Sequence, residues 1–427
     1  MIAAQEPDLS IGVKYYATDS PGCGGKLRQH PEDFRVEELW EERPYEGGRY
    51  LIVAVEKKNW DTHHLIRDLS RRLRISQRRF GWAGTKDKRA VTRQRMSIIN
   101  LDEKELEQVS LPGVKMKVLG RSNRSVALGD LSGNRFQVRI RDMEVGPKEA
   151  VRRLDRITAE VEGLGGLPNY FGVQRFGEVR PVTHLVGEAL VKGDPKEAVF
   201  TYLTMPFPGE PEATREARAD LQETEDLTRA LRDYPHHLRY ERAILNHLVG
   251  HRGEYASSFD VLSTNLKRLF VHAYQSYLFN MVLSRRMERG LPLDRAVEGD
   301  VVCYLKDGLP NPSRTQHVDQ NNLDAVNRLA SRGRAYVTLP LFGYESQFAK
   351  DDPGRVEREV LGEEDEEGMG LEGFRVVANP GLGSKGARRP ALLKLEPQVQ
   401  VVEGSALLGF TLPPGSYATV VLREYMK

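Results

Sequence analysis

Residues 80–98 read FGWAGTKDKRAVTRQRMSI and combine a glycine-containing turn with a strand-like segment. Gly81 and Gly84 permit a tight backbone path. The segment Val91–Ile98 has the pattern of a β-strand. Asp87 is therefore predicted to be a lone carboxylate on a loop, held between three cationic neighbours: Lys86, Lys88 and Arg89.

This loop has two interpretations on residue chemistry alone. Neighbouring cations favour the ionised form of a carboxylate. An ionised carboxylate on a loop that is supported by sheet and helix can act as a nucleophile. Alternatively, Asp87 belongs to a surface salt-bridge loop that carries no chemistry. The residues by themselves leave both interpretations open.

The net charge of +2 hides an uneven distribution of charge along the 427 residues. Between Trp60 and Arg95, eleven Lys or Arg stand against three Asp, which is a net charge of +8. The compensating acid lies elsewhere, notably in the run Glu363–Glu367. This asymmetry predicts a polyanion-binding face, although a solvated basic helix face is the alternative.

Length and composition exclude several classes of protein. A chain of 427 residues predicts two domains, or one domain with a large insertion. No apolar run approaches the roughly 18–20 residues that span a membrane, and the N-terminus lacks a signal-peptide pattern. Cys23 and Cys303 lie far apart, and no metal-binding spacing of Cys or His occurs. These features predict a soluble, cytoplasmic and cofactor-poor protein without a zinc site or a membrane partner.

The pattern of elements changes near Pro181. The preceding part carries strand patterns at residues 50–56 and 136–140. It also carries a helix that Asp61 or Thr62 can cap. The following part is dominated by helical patterns, at Thr214–Tyr234, Tyr240–Leu248 and Leu266–Arg289. Towards the C-terminus we predict an acidic solvated loop at residues 351–373. Two strands follow, at Gln398–Glu403 and Ser416–Leu422. The order predicts an α+β domain that is interrupted by a mostly helical insertion.

The segment Leu167–Gly177 packs three aromatics, two amides and Arg175 into eleven residues. Aromatic faces stack on bases, amides read base edges, and Arg binds phosphate or stacks. An aromatic-rich core turn is an equally valid interpretation. A further motif, Gly381–Gly386, fits the dinucleotide pattern but follows Asn379-Pro380 instead of a strand, which argues against a methyl-donor pocket.

The chain resembles the TruD-type tRNA pseudouridine synthases in motifs that fall in that family's order. Phe80–Ile98 resembles the family's catalytic loop, with its Ala-Gly-x-Lys-Asp-x-x-Ala-Val-Thr core. Other matching segments are Pro31–Glu37, Leu131–Phe136, Pro168–Gly177 and Pro414–Thr419. The long helical stretch resembles the archaeal and eukaryotic branch, in which the insertion is larger than in bacterial members.

The resemblance implies an α+β fold. A pseudouridine synthase core with a mixed, mainly antiparallel sheet would be joined by a mostly helical α/β insertion domain. We expect a discontinuous catalytic domain at residues 1–180 and 376–427, and the insertion domain at residues 181–375. The implied activity is the isomerisation of a uridine in tRNA, typically at position 13, without cofactor or metal. The implied partner is tRNA, and no obligate protein partner is evident.

The resemblance also assigns residues. Asp87 falls on the family's catalytic Asp, which acts as a nucleophile or a base. Arg28 stands where bacterial members have Lys, and Tyr417 stands where the family has Phe beside the base; the charge and the stacking face are retained. The candidate substrate-binding and RNA-binding residues are Arg28, Phe34, Lys86, Lys88, Arg89, Asn169, Phe171, Arg175 and Tyr417.

Overall fold

The computed structural model describes residues 2–41, 45, 47–362 and 370–427. Numbered in chain order, the strands are β1 (Phe34–Leu39), β2 (Tyr50–Lys58), β3 (Phe80–Trp82), β4 (Val91–Ile99), β5 (Val114–Ser122), β6 (Gly133–Ile140), β7 (Leu167–Pro168), β8 (Val301–Lys306), β9 (Leu309–His317), β10 (Ala335–Leu341), β11 (Ala387–Pro390), β12 (Leu392–Leu393), β13 (Gln398–Val402) and β14 (Ser405–Leu412).

The helices of the described residues are numbered in the same way. They are α1 (Thr62–Arg72), α2 (Glu103–Glu107), α3 (Pro147–Gly163), α4 (Thr183–Val191), α5 (Pro195–Thr204), α6 (Glu212–Thr224), α7 (Leu227–Asp233), α8 (Arg239–Gly250), α9 (Tyr255–Ser258), α10 (Thr264–Glu288), α11 (Leu323–Ser331), α12 (Asp351–Leu361) and α13 (Ala418–Met426). Short 3₁₀ helices lie at Leu9–Ile11, Pro31–Asp33, Gln77–Arg79, Val173–Arg175, Phe259–Val261, Leu371–Arg375 and Pro380–Leu382.

The chain divides into two compact units. The sheet unit consists of Ala17–Leu167 and Leu393–Lys427. The helical unit consists of Pro168–Leu392 together with the N-terminal segment through Tyr16. Three segments that the sequence-based division assigns to the catalytic domain thus cluster with the helical unit: the N-terminal segment, residues 168–180 and residues 376–392. The assignment of a catalytic and an insertion domain remains a prediction.

Within the described residues, the sheet unit is built on an eight-stranded sheet in the order β13-β14-β6-β1-β4-β2-β5, with β3 paired to β4. β1 and β4 are parallel, whereas the other neighbours run antiparallel. The predicted α+β class with a mixed, mainly antiparallel sheet is confirmed.

Alternating residues of the strands bury one face of this sheet in two clusters. In the first, Phe136 and Val138 of β6 pack with Leu154 and Ile157 of α3 and with Val421 of α13. In the second, residues of β2 pack with residues of α1, namely Leu51, Val53 and Val55 with Leu65, Ile66 and Leu69. Burial of these apolar side chains, at about 25 cal/mol per Å², fixes the helices on the sheet.

The helical unit contains a smaller antiparallel sheet, in the order β11-β10-β8-β9. Its long helix α10 is buried along much of its length, including Phe270 and Tyr274. α4 packs closely against α10. A Cβ atom added at Gly187 of α4 would lie only 2.1 Å from the carbonyl oxygen of Phe270 on α10. The close approach explains why a glycine occupies that position of α4.

Two elements differ from the sequence-based prediction. Ser416–Leu422 was expected to be a strand, yet α13 begins at Ala418. Its β-branched residues resemble a strand, but Val421, Leu422 and Tyr425 share the helix face that the first core cluster buries. Residues 351–361 form α12 instead of a solvated loop, because Pro353, Val356 and Glu357 are buried at helical spacing. The acidic run Glu363–Glu367 lies outside the described residues.

A third difference concerns residues 214–234, which were expected to be one helix. They form α6 and α7, separated at Glu225, whose backbone is left-handed with φ of 50°. Asp226 then caps α7 by accepting hydrogen bonds from the N–H groups of Thr228 and Arg229. The helix breaks where a carboxylate provides a new N-terminal cap.

In the part of the chain that the structure describes, no helix is both long and apolar enough to cross a membrane. Among the same residues, no group of three or more His, Cys, Asp or Glu side chains is arranged to hold a metal ion.

Candidate active site

Asp87 lies on the loop that joins β3 to β4, as predicted from the sequence. Because β4 runs parallel to β1, with Val91 opposite Arg35, the loop lies beside the start of β1. The Asp87 side chain is 45% exposed, so its carboxylate is accessible from solvent. The sheet thus presents a carboxylate at one end of its two parallel strands.

The guanidinium of Arg28 contacts this carboxylate. Its Nη2 lies 3.4 Å from Oδ1 of Asp87. The same guanidinium lies over the ring of Phe34, with Cζ 4.2 Å from the ring centroid. Phe34 is buried against Phe136 in an edge-to-face contact. A cation stacked on a fixed aromatic face has a defined position, so the ring helps to hold Arg28 beside Asp87.

The three cations that flank Asp87 in sequence have different surroundings. Lys86 is almost fully buried, and its Nζ lies 2.9 Å from Oε2 of the buried Glu38 on β1. Lys88 and Arg89 are exposed on the loop. Lys86 therefore anchors the loop to β1, whereas Lys88 and Arg89 remain accessible to a polyanion.

The backbone of the loop is held by residues that the sequence-based analysis did not single out. The hydroxyl of Thr62 accepts a hydrogen bond from the N–H of Lys86 at 3.0 Å. The side-chain amide of Gln94 donates to the carbonyl of Gly84 at 3.1 Å. The ammonium of Lys57 donates to the carbonyls of both Lys86 and Asp87.

The sequence contained a signal for Lys57 and for Glu38, the partner of Lys86. Leu51, Val53 and Val55 lie on the face of β2 that the second core cluster buries, and the next residue on that face is Lys57. Glu38 likewise follows two buried apolar residues of β1, Phe34 and Val36. Because a charged residue is rarely buried unless it is paired, a charge that continues an apolar face indicates an internal partner.

The basic stretch between Trp60 and Arg95 includes α1, which begins at a cap formed by Asp61. Its apolar side faces the second core cluster. The outer side and the following turn expose Arg67, Arg71, Arg72, Arg74 and Arg78. The polyanion-binding interpretation therefore has an exposed guanidinium surface to support it, in the same unit as Asp87.

Tyr417 occupies the N-cap position of α13 and not the start of a strand. It follows the Pro413-Pro414-Gly415 turn and is half-buried. The sheet unit thus contains Arg28, Phe34, Asp87 and Tyr417 among the predicted site residues.

Asn169, Phe171 and Arg175 belong to the helical unit. The amide of Asn169 is engaged on both sides: it donates to the carbonyl of Pro390 at 2.9 Å and accepts from Arg389 at 2.5 Å. The same Arg389 guanidinium lies 4.3 Å from the centroid of the Phe171 ring. Arg389 therefore orders both residues. The amino-acid sequence gives no indication of these contacts beyond the adjacent pair Arg388-Arg389.

Phe171 is buried and held in place through its backbone. Its N–H donates to Oδ1 of Asn280, and its carbonyl accepts from Nδ2 of the same side chain. Arg175 donates to the hydroxyl of Ser276 at 3.1 Å. Tyr170 and Phe176 are also buried, so the core-turn interpretation applies to them.

Comparison with known proteins assigns this arrangement to a family. The family model of tRNA pseudouridine synthase D (TruD) matches residues 10–425. The chain is 49% identical to a Methanococcoides burtonii protein named as a probable tRNA pseudouridine synthase D, over 98% of this chain and 97% of the relative. A Pyrococcus furiosus protein of the same name is 41% identical, over 98% of this chain and 99% of the relative.

A solved structure agrees with the sequence comparison. The crystal structure of a candidate tRNA pseudouridine synthase D from Methanosarcina mazei is similar over 100% of this chain and 98% of its own, with a TM-score of 0.89 and 48% identity. The chain belongs to the tRNA pseudouridine synthase D family.

Proposed function

We propose that this chain isomerises a uridine in tRNA to pseudouridine, with Asp87 as the acting carboxylate. Position 13 of the tRNA is the expected target. Family membership supports the reaction and the class of substrate. The observation that carries the assignment of the residue is the contact between Asp87 and Arg28, 3.4 Å apart, on an accessible loop of the sheet unit. A tRNA substrate leads us to expect the reaction in the cytoplasm.

The chemistry is an internal rearrangement. The bond between N1 of uracil and C1′ of ribose breaks, the base rotates, and a bond forms between C5 and C1′. C5 loses its proton and N1 gains one, so the product is an isomer and no electron or group donor is consumed. A single carboxylate can start the reaction either by attack on the sugar or by removal of a sugar proton.

The surroundings of Asp87 suit that role. Arg28 provides a positive charge beside Oδ1, which stabilises negative charge there by coulombic attraction. The target uridine lies within a folded tRNA and must be flipped out, which costs on the order of a few kcal/mol. Exposed guanidinium groups of α1 and its following turn supply phosphate contacts that offset this free energy, and we expect tRNA binding to weaken steeply with salt.

The decisive experiment compares the wild type with Asp87→Asn. Both proteins are incubated with tRNA without added cofactor, and pseudouridine is mapped by carbodiimide labelling. We expect Asp87→Asn to bind tRNA with a Kd near that of the wild type and to lose at least about 10³-fold in rate. The matched control is Asp155→Asn, which changes an exposed carboxylate on α3 and is expected to retain full activity.

Substantial pseudouridine formation by Asp87→Asn would contradict the assignment of this residue. Binding of tRNA without any product in the wild type would favour the second candidate, an RNA-binding protein without chemistry. A carboxylate at the centre of the basic loop argues against that candidate, because it repels phosphate.

A further inference from the structure

Lys57 is a fully buried lysine at the end of β2. Its Nζ donates to three backbone carbonyls: that of Trp60 at 2.6 Å, that of Lys86 at 3.2 Å and that of Asp87 at 3.0 Å. An ammonium group has three N–H donors and no acceptor, so the number of donors matches the number of acceptors. Two of the three acceptors belong to the loop that presents Asp87.

These contacts provide hydrogen-bond partners for the backbone of the loop. Residues 84–87 lie between β3 and β4, outside the hydrogen-bond ladder of the sheet, so their inward-facing backbone groups need other partners. Thr62 and Gln94 satisfy the N–H of Lys86 and the carbonyl of Gly84. Lys57 satisfies the carbonyls of Lys86 and Asp87, and these determine where the Asp87 side chain leaves the backbone.

A neutral donor would be easier to bury than a lysine. Burial lowers the pKa of Lys57 to about 8, and the charges of Asp87 and Asp61 oppose this effect. Lys86 lowers the pKa further by repulsion between like charges. The chain therefore keeps a buried cation against the backbone carbonyl of Asp87, whose carboxylate Oδ1 contacts Arg28.

We propose that Lys57 is a positioning residue for Asp87, which fixes the loop backbone through hydrogen bonds to the carbonyls of Lys86 and Asp87 and supplies a positive charge near the carboxylate. This inference rests on the proposed role of Asp87. It concerns the rate of the chemical step and not the binding of tRNA, because the buried ammonium cannot reach a phosphate.

The proposal predicts a dependence on pH. The charged groups around Lys57 are Asp87 and Lys86 on the loop and Asp61 at the start of α1, while Thr62 and Gln94 are neutral. Deprotonation of Lys57 leaves two N–H donors for three carbonyls and removes the charge. The rate of the chemical step should thus fall as pH rises through about 8.

The test uses single-turnover kinetics with saturating tRNA on the wild type, Lys57→Met and the control Lys58→Met. Lys58 is the adjacent residue of β2, and it is exposed and paired with Glu32. We expect Lys57→Met to reduce the rate on the order of 10²-fold, since small displacements of a catalytic group have effects of that size. Its Kd for tRNA should stay within about threefold of the wild type, and Lys58→Met should keep the wild-type rate.

The pH profile separates positioning from a general loss of folding. The wild type and Lys58→Met should lose rate above about pH 8, and Lys57→Met should lack this alkaline limb. A wild-type rate in Lys57→Met would overturn the proposal. If Lys57→Met is too unstable to assay, the wild type decides alone: a constant rate from pH 7 to about pH 9.5 would overturn it equally.

Failure of this inference differs from failure of the proposed function. An inactive Asp87→Asn together with a fully active Lys57→Met would reject only the role of Lys57. An active Asp87→Asn would reject the role of Asp87, and with it the basis for assigning Lys57.

Discussion

Nη2 of Arg28 lies 3.4 Å from Oδ1 of Asp87. The two residues are 59 positions apart in the sequence, and they meet because Arg28 precedes β1 while Asp87 precedes the parallel strand β4. Arg28 adopts a left-handed backbone with φ of 55°, a conformation that non-glycine residues seldom adopt. The segment before β1 is thus shaped to bring a guanidinium to the carboxylate.

The first prediction concerns this contact. Arg28→Met removes the charge but keeps an unbranched side chain that can pack on Phe34, so we expect the single-turnover rate to fall on the order of 10²-fold. Arg28→Lys should recover a large part of the rate, because it restores a positive charge. The control Lys26→Met removes an exposed cation nearby in sequence and should be neutral. Equal rates for Arg28→Met and the wild type would show that the contact is incidental.

The second prediction concerns the buried ion pair between Lys86 and Glu38, whose side chains are 6% and 0% exposed. Glu38→Ala leaves a buried ammonium without its carboxylate, so we expect the free energy of unfolding to decrease by about 3–5 kcal/mol. Urea denaturation at pH 7 measures it. The control is the neighbouring Glu37→Ala, since Glu37 pairs with the exposed Arg93 and Arg135 and should contribute at most about 1 kcal/mol. Similar decreases in the free energy of unfolding for both variants would contradict the expectation that the buried ion pair contributes more than the exposed one.

The third prediction concerns His184 in the helical unit. The ring is buried, stacked on Tyr277 with centroids 4.9 Å apart, and burial lowers its pKa to about 4. The unfolded chain takes up this proton near pH 6.5, whereas the folded chain resists until about pH 4. The contribution of the neutral His184 to the free energy of unfolding is therefore fully present above pH 6.5 and is lost as pH falls towards 4. The loss from this group is about 3 kcal/mol.

Chemical denaturation between pH 7 and pH 4.5 tests this prediction. His184→Phe keeps an aromatic ring against Tyr277 and removes the titration, so its stability should depend less on pH than that of the wild type. The control His236→Phe replaces an exposed imidazole between α7 and α8, and the pH dependence should stay close to that of the wild type. An identical pH dependence in all three proteins would contradict a neutral, buried His184.

Much of the fold could be predicted because the spacing of apolar residues along the chain indicates which faces of a helix or strand are buried. The continuous apolar run of β2, the alternation in β6 and the apolar stripe of α1 identify these elements locally. The same reasoning failed at α13 and α12, where β-branched or acidic residues imitate a strand or a loop. Tertiary packing decides there, since the first core cluster buries one helical face of α13.

The sequence by itself predicted the family, which the comparisons confirm, and a loop carboxylate with basic neighbours as the candidate site. A motif such as that around Asp87 is contiguous, so it can be recognised without knowledge of the fold. Only the tertiary structure decided which cations lie against Asp87. Arg28, from before β1, contacts its carboxylate, and Lys57, from β2, donates to its backbone carbonyl. It also decided that Lys86, adjacent to Asp87 in sequence, turns towards Glu38. The physical reason is that coulombic and hydrogen-bond partners are chosen by distance in space, and strand pairing sets that distance.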